Sequence, residues 1–88
     1  MSTLPVIDLI ATGQNIAKKR KHAGYSVRQM QKILGFSTPQ AIYKWQRGGS
    51  LPSIDNLAVL AAVLNVKMDD IIVYKTPDAP PEPPPEES

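Results

Sequence analysis

From position 12 onward the chain divides into short stretches in which apolar residues return every three or four positions, with Gly, Ser, Thr or Pro between them. That spacing is helical. A first helix is predicted over about Thr12 to Ala23, ended by Gly24 as a left-handed cap, with Asp8 as an earlier N-cap because Leu9 and Ile10 are also apolar. In SVRQMQKILG, Ser26 and Gln29 form a capping-box pattern, Val27, Met30 and Leu34 recur at i, i+3, i+7 with Ile33 beside them, and Gly35 supplies the stop. Thr38 then reads as the N-cap of a third helix with Pro39 at its first position, where the missing N–H costs nothing; Gly48-Gly49 ends it. Ser53 caps a fourth helix, Ile54 to about Leu64, whose inner stripe is Ile54, Leu57, Leu60, Ala61 and Leu64. A short fifth runs from Met68 to about Val73. Five short helices with no sheet demanded make an all-α domain.

The last thirteen residues, TPDAPPEPPPEES, hold six of the nine prolines and no large apolar residue. Such a segment buries too little surface to offset its ordering entropy, so residues 76–88 are predicted to be disordered and partly polyproline II. The expected organisation is an N-terminal arm, or the start of the first helix, over 1–11, a helical domain over 12–75 and this tail. The formal charge of +2 conceals a division: all ten Lys and Arg lie in residues 1–75 beside four acids, and the other four acids lie in the tail. A basic body attracts polyanions, nucleic acid first among them, although many ordinary domains are as basic. The absence of cysteine excludes disulfides and thiolate metal sites and suits a reducing cytoplasm. Val6 to Ala11 is too short to span a bilayer, contains Asp8 and follows no basic segment, so neither a membrane anchor nor a signal peptide is expected.

On the third helix, at about 100° per residue, Ala41, Ile42 and Trp45 share one side with Gln46 at its margin, and Gln40, Tyr43, Lys44 and Arg47 share the other. The outer side carries two cations, an amide and a phenol, and no acid. Those groups suit phosphates and base edges in a major groove, which is wide enough to admit a helix. The second helix presents Arg28 and Lys32 opposite Met30 and Leu34. Two capped helices joined by GFST, each with a basic outer face, form a helix-turn-helix candidate; the plainer reading is two solvated polar faces.

From about Gly13 to Val73 the chain resembles the phage-repressor and Cro-like helix-turn-helix proteins of xenobiotic-response-element type. The resemblance rests on Ile16 with Arg20, on GYSVRQMQKILGFS, and on Arg47-Gly48 and Pro52 followed by the register of Leu57, Leu60, Ala61, Leu64 and Val66. It implies a five-helix repressor-like domain whose third helix enters the major groove, working as a homodimer on a palindromic double-stranded operator, with no cofactor. Carried over by position, it puts base contacts at Pro39, Gln40, Ala41, Tyr43 and Lys44 and phosphate clamps at Arg28 and Arg47, to which Ser26, Thr38 and Lys32 add capped helix ends and charge. Of the base-contacting set only Gln40, Tyr43 and Lys44 have hydrogen-bonding side chains; Gln40 suits adenine and Lys44 guanine, and Ala41 a thymine methyl. Two departures stand out. The turn GFST is one residue longer than the commonest family pattern, and Gln46 stands where the family often has a Glu paired with the first-helix Arg, so Arg20 and Gln46 are expected to form a charge–neutral hydrogen bond.

The remaining features have plainer explanations. KKRKH, residues 18–22, scatters around a helix with Lys18, Lys21 and His22 outward and Arg20 inward, leaving solvation or phosphate contact as its roles. Trp45 belongs with Ile42 in the core more readily than on a base, alongside Ile16, Met30, Leu34, Leu57, Leu60 and Leu64; Tyr43 is divided between DNA contact and simple exposure. No nucleophile–base pair, carboxylate pair or phosphate loop points to an enzyme, and no metal or small-molecule site is evident. The fourth helix is apolar nearly all round: Val59, Ala62 and Val63 sit opposite its inner stripe, and with Ile72 and Val73 they form a possible dimer face. Either the N-terminal LPVIDLI segment covers it or a second subunit does, with IIVYK as a strand pairing between subunits. The contrasting functional reading is a protein-interaction module on the same scaffold, antitoxin-like or adaptor, acting through helix 4 or the tail.

Overall fold

In the computed structural model, which describes residues 5–75 and 83–85, five helices are tied at their open end by a two-stranded ladder. Helix α1 spans Leu9–His22, α2 Val27–Leu34, α3 Gln40–Gln46, α4 Ile54–Leu64 and α5 Met68–Ile71; strands β1 (Val6–Ile7) and β2 (Tyr74–Lys75) lie at the two ends. The expectation of a disordered tail falls on residues outside those described, apart from the exposed Pro83–Pro85.

Local chemistry sets most boundaries. Asp8 caps α1 by accepting from the Ala11 amide at 3.0 Å, so the helix begins at Leu9 rather than at Thr12. At its other end the Tyr25 amide reaches the Arg20 carbonyl (3.1 Å) across Gly24, whose φ of +87° only a glycine adopts without strain. Both halves of the α2 capping box form: the Gln29 amide donates to Ser26 Oγ (3.1 Å) and the Ser26 amide to Gln29 Oε1 (2.8 Å). Ser53 caps α4 through the Asn56 amide.

Helix α3 starts one residue later than expected. Pro39, at φ −83° and ψ 3°, is its N-cap and makes no side-chain cap bond; Thr38 Oγ1 reaches only the Gln40 amide, at 3.4 Å. The fifth helix is shorter than expected. After Ile71 the backbone turns extended, because Val73 is held by α1: its amide donates to Thr12 Oγ1 (2.9 Å) and its carbonyl accepts from the Asp8 amide (2.8 Å). The next two residues pair antiparallel with the start of the same chain, Val6 with Lys75 and Ile7 with Tyr74. The strand expected to pair between subunits therefore has a partner within its own chain.

The core is Ile16, Met30, Ile42, Trp45, Leu57, Leu60, Ala61, Leu64 and Ile71, with Leu34 half-buried against it. Ile54 departs from its expected place in the inner stripe: it is 71% exposed, and the buried stripe of α4 begins at Leu57. The described part of the N-terminal segment leaves Val59 and Ala62 of α4 uncovered, although its Ile7 lines an apolar hollow with Ile54 and Leu57 at the start of that helix. Val59 stays 40% exposed and Ala62 exposed, while Val63, Ile72 and Val73 are half-buried.

Candidate nucleic-acid interface

Helices α2 and α3, joined by Gly35–Pro39, form the helix-turn-helix unit, and its anchor is inside the protein. Phe36, the one large apolar residue of the turn, packs edge-to-face on Trp45 with ring centroids 5.8 Å apart. Trp45 is 4% exposed, which removes it as a base-stacking group. With Ile42 and Trp45 inward, Gln40, Tyr43, Lys44 and Arg47 are left on the exposed side of α3, Tyr43 at 49% exposure. Pro39 and Ala41 are half-buried, so each presents only part of its surface. On α2, Ser26, Arg28 and Lys32 are exposed opposite the buried Met30, and Thr38 is exposed in the turn. The Ser26 hydroxyl oxygen is engaged in the capping box, accepting from the Gln29 amide.

Two contacts fix the angle of this unit on α1. The first is a close approach at Gly13, where an added Cβ would lie 2.1 Å from the Trp45 carbonyl oxygen and 2.9 Å from that of Gln46. Only a residue without a side chain lets the end of α3 lie this near α1. The second is Arg20, 8% exposed, whose Nε donates to Gln46 Oε1 (3.0 Å) and whose Nη1 donates to the Tyr25 carbonyl (2.7 Å). One guanidinium thereby joins the end of α1, the approach to α2 and the end of α3. Both acceptors are neutral, so its charge is hydrogen-bonded without a counter-charge from them.

Several positioning residues carry no sequence signal of their own. Gly49 sits beneath Lys44: a Cβ there would come within 2.9 Å of Lys44 Cγ, and the Gly49 amide donates to the Lys44 carbonyl (2.8 Å). Asn15 Nδ2 donates to the carbonyls of Asp70 (2.8 Å) and Ile71 (2.9 Å), closing the end of α5 against α1. Spacing does not reveal the Asn15 contacts, whose partners lie 55 and 56 residues away in sequence, and it shows Gly49 only as part of a helix stop. Among the described residues no cluster of three or more His, Asp or Glu could hold a metal ion, and no helix is long and apolar enough to cross a membrane.

The comparisons agree with this architecture. The helix-turn-helix family model matches residues 16–71, more than half of the chain. Among solved structures, the restriction-modification controller protein C.AhdI from Aeromonas hydrophila superposes with a TM-score of 0.65 at 23% identity, over 73% of this chain and 96% of that one. The clp gene regulator ClgR from C. glutamicum superposes with a TM-score of 0.61 at 21% identity, over 70% of this chain and 79% of that one. No curated protein sequence matches the chain. The structural likenesses speak for the fold, the family match for kinship: the chain belongs to the helix-turn-helix family of xenobiotic-response-element type, and with it to the DNA-binding transcriptional regulators rather than to the enzymes.

Proposed function

We propose that the protein is a repressor-like regulator that recognises a palindromic double-stranded operator as a homodimer in the cytoplasm, with α3 in the major groove. One observation carries this reading: the exposed sides of α2 and α3 present Arg28, Lys32, Lys44 and Arg47 with Gln40 and Tyr43, and no acid stands among them. Gln40 and Lys44 read base edges, each worth about 1–3 kcal/mol of discrimination. Tyr43 lies between them, and Pro39 and Ala41 set how closely the helix approaches the groove floor. Arg28, Lys32 and Arg47, with the helix ends at Ser26 and Thr38, hold phosphates and set register rather than sequence. The exposed Val59 and Ala62 on α4, beside the half-buried Val63, support a second subunit as their cover; a dimer spaces its two recognition helices about 34 Å apart, one turn of DNA.

The test is selection from a randomised duplex library at physiological salt, with mass by light scattering on and off the selected duplex. The reading expects an enriched palindrome with half-sites one turn apart and a dimer mass on it. A single half-site would remove the dimer. No enrichment by a folded protein would remove base reading and favour a protein-interaction module acting through the same exposed α4 residues.

A further inference from the structure

Helix α3 ends in a double glycine whose two members have different reasons to be glycine. The Gly48 amide donates to the Trp45 carbonyl (3.0 Å) and the Gly49 amide to the Lys44 carbonyl (2.8 Å). These are the two bonds of a Schellman stop, in which the residue after the left-handed one folds back toward the last turn of the helix. Gly48 is the left-handed residue, at φ +80°, and that conformation explains it. Gly49 lies outside the left-handed range, so its φ does not call for glycine. What a side chain there would meet is Lys44. A Cβ on Gly49 would stand 2.9 Å from Lys44 Cγ, 3.3 Å from its carbonyl oxygen and 3.6 Å from its Cε. A stop of this kind often carries an apolar contact between these two positions. Here the lysine's own methylenes, from Cγ to Cε, lie on bare backbone instead.

We infer that Gly49 is a positioning residue that sets specificity: by carrying no side chain it gives the Lys44 stem a seat, and the seat fixes where the ammonium meets DNA. The inference rests on the DNA-binding reading of α3 and deepens it, since Gly49 acts through Lys44 and not on a base. Lysine has a flexible four-carbon stem and a compact charge with no fixed fork. A free stem lets that charge settle on whichever acceptor is nearest, base edge or phosphate alike. A stem already held against Gly49 loses less freedom on binding, and it offers the ammonium to one place in the groove. The competing role for Lys44 is at the helix end, where a cation beside the last carbonyls is favoured.

The test uses G49A, the smallest change that fills the seat, with K44A and the double variant. The closest obstructed atom belongs to a side chain that can rotate away, so G49A should unfold within about 4 °C of the parent. In the free parent, nuclear Overhauser contacts should link the Lys44 γ and ε methylenes to the Gly49 α protons, and G49A should disperse them. On an operator selected by the parent, K44A should relax preference at one base pair. G49A should weaken preference at that same pair by about three- to tenfold and leave the pair read by Gln40 unchanged. With Lys44 already removed, G49A should have no further effect there. Equal discrimination by parent and G49A would overturn the inference, as would a loss that persists in the K44A background. A much larger fall in the unfolding temperature would make Gly49 a structural residue, and a K44A protein that relaxes no base pair would leave Lys44 to the helix end; either overturns it. A parent that enriches no duplex removes the DNA reading and the inference with it. Overhauser contacts missing from a parent that does select a duplex remove the seat alone.

Discussion

Replacing Gly13 by alanine sets two large effects against each other. In a helix interior, alanine is favoured over glycine by about 1 kcal/mol, and by that rule alone G13A stabilises α1. The new Cβ, however, would stand 2.1 Å from the Trp45 carbonyl oxygen and 2.9 Å from the Gln46 carbonyl oxygen. A carbon–oxygen pair needs more than 3 Å, so α3 must retreat by about an ångström. The obstructing atoms are backbone, which no rotamer change moves. Overpacking of this kind costs about 1–3 kcal/mol and occasionally more, and the retreat also loosens Trp45 and the Arg20–Gln46 bond. The upper part of that range applies, leaving a net loss of about 2 kcal/mol after the propensity gain. For a domain of this size, that lowers the melting temperature by about 8–16 °C. Thermal unfolding followed by circular dichroism measures it, with Q14A, on the exposed neighbouring position, as a control that should shift stability by no more than about 0.5 kcal/mol. A G13A protein as stable as the parent, or more so, would mean that α1 and α3 are not in contact at this glycine.

Three further outcomes follow from the same geometry. Arg20→Ala should destabilise the domain by about 2–4 kcal/mol, since it removes two charge-assisted bonds; unchanged thermal unfolding would dissociate Arg20 from the α1–α3 junction. Thr12→Val keeps the shape but leaves the Val73 amide without its acceptor, a loss of about 1–3 kcal/mol read by urea titration, and a neutral result would mean that the Val73 amide finds another partner. On a selected operator, Gln40→Ala should relax preference at one base pair, whereas Arg47→Ala should weaken all duplexes alike and reduce the salt slope by about 1; the reverse pattern would exchange their roles.

Where a boundary depends on neighbours in sequence, the sequence displays it. The Ser26–Gln29 capping box and the Gly24 and Gly35 stops are local, and they are found where the pattern puts them. The inward and outward sides of α3 follow from its period alone. What the sequence could not display depends on partners far along the chain. Helix α5 ends early because Thr12 takes hold of Val73, and β2 exists because β1 is beside it. Ile54 looks like the first member of an apolar stripe, but no periodicity tells how far the core extends. Gly13 differs in no local respect from a glycine merely tolerated in a helix; its role is set by two carbonyls arriving from α3. The charge face of the site was legible in this sense, and the supports that aim it were not.

The clasp between Val73 and Thr12 joins residues 61 apart in sequence, nearly the whole length of the described body, and this orders events in time. Helical contacts form early because they close short loops, whereas a pairing of the chain's two ends meets its loop-closure cost last. The helix-turn-helix unit is therefore expected to assemble before the ends are fastened, with the clasp absent from the transition state, which the folding and unfolding rates of Thr12→Val against denaturant would test. Substitutions within it, Thr12→Val first, accelerate unfolding and leave the folding rate nearly unchanged, while Gly13→Ala slows folding as well. On this expectation the fastening of the two chain ends sets how long the folded domain lasts rather than how quickly it is made.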